Sequence, residues 1–102
     1  YIVDATLQDI TQLANMGVYI EHSMCMFAEN SKFRMFDPAN LKSIIDAAGV
    51  DQTILGSDLG QAGNPRLVDG FLSVIEICLD LGYDAAQVRK MVSTNAATLV
   101  GL

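Results

Sequence analysis

Three glycines, Gly17, Gly49 and Gly82, each close a stretch with helical apolar spacing, and two short β-prone runs lie between those stretches. Thr6 is placed to cap a helix carrying Leu7, Ile10, Leu13 and Ala14 on one side, ending at Gly17. Val18-Tyr19-Ile20 follows at once as a strand, with Glu21 and His22 at its carboxyl end. Asp37-Pro38 supplies an N-cap and a first-turn proline for a helix aligning Leu41, Ile44, Ile45 and Ala48. Thr53-Ile54-Leu55 is the second strand and runs into Gly56-Ser57-Asp58-Leu59-Gly60. Asn64-Pro65 is read as opening a third helix with Leu67, Phe71, Leu72, Ile75, Cys78 and Leu79. Asp84 and Gln87 have capping-box spacing for a fourth helix through about Val92, and Asn95 to Leu102 forms a last helical turn.

Helices alternating with strands at this spacing predict right-handed parallel βαβ units. Parallel sheets are buried on both faces, and two strands are too few to make a stable one. The order therefore predicts residues 1–102 as one partial domain, with further strands supplied upstream or by a second copy. Composition agrees with a covered surface. Of 102 residues, 51% are hydrophobic and 18% charged, with a mean hydropathy of +0.32, an oily balance for so small a body. Tyr1 at the start, with no charged-then-apolar leader, extends the same expectation to the N-terminus.

Charge excludes some partners. The net charge is −6, and Lys32, Arg34, Lys42, Arg66, Arg89 and Lys90 form no basic stripe, so nucleic acid is not expected. Membrane insertion is not expected either, because the apolar stretch 67–81 is interrupted by Asp69, Ser73, Glu76 and Asp80. Cys25 and Cys78 lack the spacing of a disulfide framework or structural zinc site, and a cytoplasmic setting is the default.

In parallel α/β folds the reactive groups gather at strand carboxyl ends. Glu21, His22 and Ser23 hold that place after the first strand, and Ser57 and Asp58 after the second. Asp58 is the leading candidate. A carboxylate flanked by Gly56 and Gly60 suits a hard cation or proton acceptance from water, although an aspartate in a loop also serves as an ordinary turn residue. Adjacent strand residues point to opposite faces, so at most one of Glu21 and His22 faces the mouth. Met24, Met26, Phe27, Met35 and Phe36 suit an apolar pocket or plain packing, and Asn64 and Arg66 an anion or plain helix capping.

The run Thr53-Ile54-Leu55-Gly56-Ser57-Asp58-Leu59-Gly60-Gln61, followed by Asn64-Pro65 and a long helix, resembles the last strand and helix of amidohydrolase-superfamily barrels. The ending Asn95-Ala96-Ala97-Thr98-Leu99-Val100-Gly101-Leu102 is similar to their closing helix, with Ala96 where the family usually has proline. The resemblance implies the C-terminal portion of a (β/α)8 TIM barrel with Val18–Ile20 as its seventh strand. It implies Asp58 as metal ligand and proton shuttle, with zinc, manganese or iron held chiefly by upstream ligands; His22 receives no metal role. The implied activity is metal-dependent hydrolysis of a small-molecule amide, lactone or ester by activated water, this portion being inactive alone. The competing reading is a catalytically silent α/β scaffold that self-associates through exposed sheet edges and apolar helix faces. A flavodoxin-like domain is disfavoured by the two strands.

Overall fold

The computed structural model describes residues 4–102; the reading drawn from Tyr1 lies outside them. Helix α1 (Leu7–Asn15) leads to β1 (Ile20–Ser23) and a 3₁₀ turn at Met24–Met26. Helix α2 (Pro38–Ala48) passes through a second 3₁₀ turn, Val50–Gln52, into β2 (Thr53–Gly56). Helix α3 (Leu67–Asp80) follows, then α4 (Ala85–Arg89), a π-helical turn at Lys90–Thr94, and α5 (Asn95–Leu99).

Local chemistry sets most of these boundaries. Thr6 Oγ1 accepts from the Asp9 N–H at 3.1 Å while Asp9 Oδ2 accepts from the Thr6 N–H at 2.8 Å, closing a capping box on α1. Asp84 and Gln87 repeat the arrangement at α4, with distances of 2.8 and 2.9 Å. Pro38 occupies the first turn of α2, where its missing N–H costs nothing. Gly49 ends that helix with φ +81°, a backbone angle that a side chain would strain.

The two strands pair in parallel, Ile20 with Thr53 through Ser23 with Gly56. The connection between them is α2, and both carboxyl ends finish at the same level. Ile20 packs with Ile10 of α1 and Ala48 of α2 in a small apolar cluster. Leu55 joins the larger core, in which Met24, Leu41, Ile45, Val74, Cys78 and Met91 are fully buried. Burial pushes the Cys78 thiol up to about 11, so it is a neutral apolar filler at physiological pH.

The architecture corrects the expected one. Among the described residues the sheet has two strands, and no fragment of a TIM barrel is evident. A strand pair needs apolar cover, and among the described residues helices supply it: side chains from α2, α3, α4 and the π-helical turn share one core cluster with Leu55. Two finer expectations shift as well. The first strand lies at Ile20–Ser23 rather than Val18–Ile20. Asn64-Pro65 does not open α3, which starts at Leu67, because the Asn64 side chain is engaged elsewhere.

Candidate functional site

The in-register pairing of Ser23 with Gly56 brings the two following loops side by side. The Cys25 N–H donates to the Ser57 carbonyl at 3.1 Å, which extends the strand contact beyond the ladder. The Cys25 thiol then donates to Asp58 Oδ2 across 3.7 Å. Cys25 is buried and Asp58 exposed, so a covered sulfur supports a carboxylate that faces solvent.

Asp58 has φ +46° and is the one non-glycine residue with positive φ among those described. Asp and Asn tolerate this left-handed region better than other residues, yet it still carries a cost. The surrounding loop holds it there. Gln61 Nε2 donates to the Asp58 carbonyl at 3.2 Å, and Asn64 Nδ2 donates to Gln61 Oε1 at 2.8 Å. Asn64 Oδ1 accepts from the Lys32 N–H at 2.9 Å, and Lys32 Nζ donates to the Ala62 carbonyl at 3.0 Å. The loop after β2 is thereby clipped to the loop after β1.

Glu21 is exposed, and its carboxylate lies over Gly56: a Cβ added there would stand 2.5 Å from Oε1. Glycine at 56 therefore leaves room for a second carboxylate near the end of β2. His22 points to the opposite face, as strand alternation requires. It is 8% exposed and lines a cavity of about 330 Å³ with Ile10, Leu13, Ile20, Phe27 and Phe36. Its Nε2 is buried without a hydrogen-bond partner among the described residues. Burial pushes the imidazole down to about 4, so the neutral ring is the form present near neutrality.

The structure thus brings Asp58, Ser57 and Glu21 to the strand ends and leaves His22 outside that group. Arg66 is exposed and lies 3.6 Å from Asp69 in the first turn of α3. Of the apolar loop residues, Met26, Phe27 and Phe36 line the same cavity as His22, whereas Met24 is buried in the core and Met35 is exposed. Cys25 was not legible as a site residue. The available signal was its position two residues past the end of β1, opposite the loop that carries Asp58.

Among the described residues no group of three or more His, Cys, Asp or Glu is placed to hold a metal ion; the resemblance places most ligands of such a centre, which takes three from the protein, upstream of them. No helix of the described residues is long and apolar enough to cross a membrane. No family model, no curated protein and no solved structure matches the chain.

Proposed function

We propose that the mouth at the carboxyl ends of β1 and β2 is a hydrolytic site for a small-molecule ester, lactone or amide, with Asp58 as the proton acceptor. The observation that carries the reading is the left-handed backbone of Asp58 at a strand end. Strain of this kind persists where the surroundings over-determine it, and it gathers at functional positions. The general rule for open α/β sheets, that ligands bind outside the strand carboxyl ends, favours the same place.

The chemistry assigned to the site is general-base hydrolysis. Asp58 takes a proton from water as the water oxygen bonds to the substrate carbonyl carbon. The proton then passes to the leaving oxygen or nitrogen as its bond to that carbon breaks. Ser57 and Glu21 border the approach, and Arg66 is kept as a candidate for a substrate anion. A divalent zinc, manganese or iron ion held at Asp58 by three protein ligands would need at least one of them from outside the described residues.

The test is Asp58→Asn, assayed for hydrolysis of nitrophenyl esters, lactones and acyl amides, together with the metal content of both purified proteins. Asparagine tolerates the same backbone, so the fold should persist while turnover falls by roughly 10²-fold or more. Equal turnover in the variant, or none in the parent protein on any of these substrates, would remove the assignment. Metal that copurifies with the parent and falls in the variant would add a metal ligand's role to Asp58.

A further inference from the structure

Four parts of the chain wall in the cavity beside His22. Helix α1 contributes Ile10 and Leu13, β1 contributes His22, the loop after β1 contributes Phe27 and Phe36, and α2 contributes Ile44. Neither Ser57 nor Asp58 lines it, so this space is distinct from the mouth at the strand ends, although Glu21 borders both. Leu7 and Val18 also line it and are 49% and 40% exposed. Among the described residues the cavity is therefore open to solvent between α1 and the start of β1.

His22 is the polar group that this apolar wall leaves unsatisfied. The residue is 8% exposed, and its Nε2 has no hydrogen-bond partner. A neutral imidazole carries one donor and one acceptor, and a buried polar group left unpaired in a folded protein calls for a water or a ligand. Water is a poor occupant here. At about 30 Å³ each, roughly ten molecules would fit, and each needs two to four polar partners. Ten of the fourteen described residues around the cavity are apolar, so the wall cannot supply those bonds. The cavity measures about 330 Å³, whereas an apolar cavity of about 150 Å³ already holds benzene. An apolar space of this size with a single convergent polar group has the character of a small-molecule site.

The wall also selects the occupant. Phe27 and Phe36 stand with ring centroids 5.7 Å apart and planes inclined by 32°, a surface that favours a flat aromatic guest. The carboxylate of Glu21 and a net charge of −6 disfavour an anion, and the apolar lining disfavours any ion. A hydroxyl suits the imidazole because it donates or accepts as the tautomer requires. We propose that this cavity binds a small uncharged aromatic alcohol, its rings against Phe27 and Phe36 and its hydroxyl bonded to the imidazole of His22. The assignment is independent of the hydrolytic reading and survives its failure.

Titration of the chain with a naphthol, with naphthalene and with naphthoate tests the proposal. His22 is the only histidine, so its ring resonances report the bond without overlap from another residue. The expected result is saturable one-to-one binding of the naphthol below about 1 mM, with a shift of the His22 ring nitrogens. Naphthalene should bind roughly fivefold to tenfold more weakly, and naphthoate should not bind measurably. His22→Leu should bind naphthol and naphthalene alike. Leu13→Trp, which fills the cavity and leaves His22 in place, should lose both, with an unchanged circular dichroism spectrum showing that it is folded. Should either variant fail to fold, the three ligands on the parent chain decide alone. No saturable binding of the naphthol, or binding that leaves the His22 resonances unmoved, would overturn the proposal. So would naphthalene binding as tightly as the naphthol, and a folded Leu13→Trp that still bound the naphthol would place the ligand elsewhere.

Discussion

The side-chain amide of Asn95 donates to two main-chain carbonyls at once, Thr53 at 2.6 Å and Val50 at 2.8 Å. One buried residue of α5 thereby fixes both the 3₁₀ turn before β2 and the first residue of that strand. Asn95→Ala would leave both carbonyls without this donor, and the expected loss is about 2–3 kcal/mol. Asn95→Asp should cost more, since a carboxylate would face two carbonyl oxygens. Urea unfolding measures both, and a change below about 0.5 kcal/mol in either would show that water replaces the amide without cost.

Tyr83 links the core to the surface of α2. Its hydroxyl donates to Asp46 Oδ1 at 2.6 Å, while Lys42 Nζ donates to Asp46 Oδ2 at 2.7 Å. Burial first, and then the hydrogen bond to Asp46, push the phenol far above its ordinary value. A raised acid contributes stability that is complete below its unfolded pKa, near 10, and is lost as pH rises beyond that. Tyr83→Phe should lose about 1–2 kcal/mol at neutral pH and flatten the alkaline limb of the stability profile. Tyrosinate absorbance checks the point directly: ionisation of Tyr83 in the folded protein near the free phenol's pKa would contradict it.

The pH dependence on the acid side centres on His22. Its folded value near 4, lowered by burial, lies below an unfolded value of about 6.5, so the unfolded chain binds the proton first. Stability from this residue is therefore complete above pH ~6.5 and declines as pH falls toward ~4, by roughly 3 kcal/mol in all. Replacing His22 with Leu should remove that decline. Thermal unfolding from pH 7 to 4 would show it, and a variant with the same acid slope as the parent would refute the assignment.

Two glycines should respond differently to alanine. The nearest atoms to a Cβ at Gly56 belong to the side chain of exposed Glu21, which can swing into solvent, so Gly56→Ala should be near neutral for stability. A Cβ at Gly70 meets the buried Leu59 side chain, with Pro65 close behind. Overpacking of this kind costs about 1–3 kcal/mol, which exceeds the gain of up to ~1 kcal/mol from better helix propensity. Equal unfolding midpoints for the two variants would contradict the packing argument.

Much of the helical layout was legible because local chemistry decides it. Thr6, Asp37-Pro38 and the Asp84–Gln87 pair mark three helix starts, and each acts through atoms within one turn. Asn64-Pro65 failed as such a mark because Asn64 is recruited by Lys32, 32 residues earlier, a contact no local pattern can contain. The fold class failed in a related way. Helices share one core with Leu55 and cover the strand pair among the described residues, a packing that the strand pattern alone does not contain. At the candidate site, strand alternation correctly separated Glu21 from His22, whose faces differ in burial. The Cys25–Asp58 contact was illegible, since it depends on the register of two strands.

The π-helical turn at Lys90–Thr94 makes the last helical run sensitive to its residue count. A π turn bonds each residue to the one five places on, where an α-helix reaches four, so it takes up one extra residue and the helix after it keeps its phase. Removing one residue from 90–94 would let the backbone relax to a regular α-helix with Asn95 still directed at the two carbonyls it ties. Adding one residue, with no second wide turn to take it up, would instead rotate Asn95 by about 100°. A one-residue insertion there should therefore be more disruptive than a one-residue deletion.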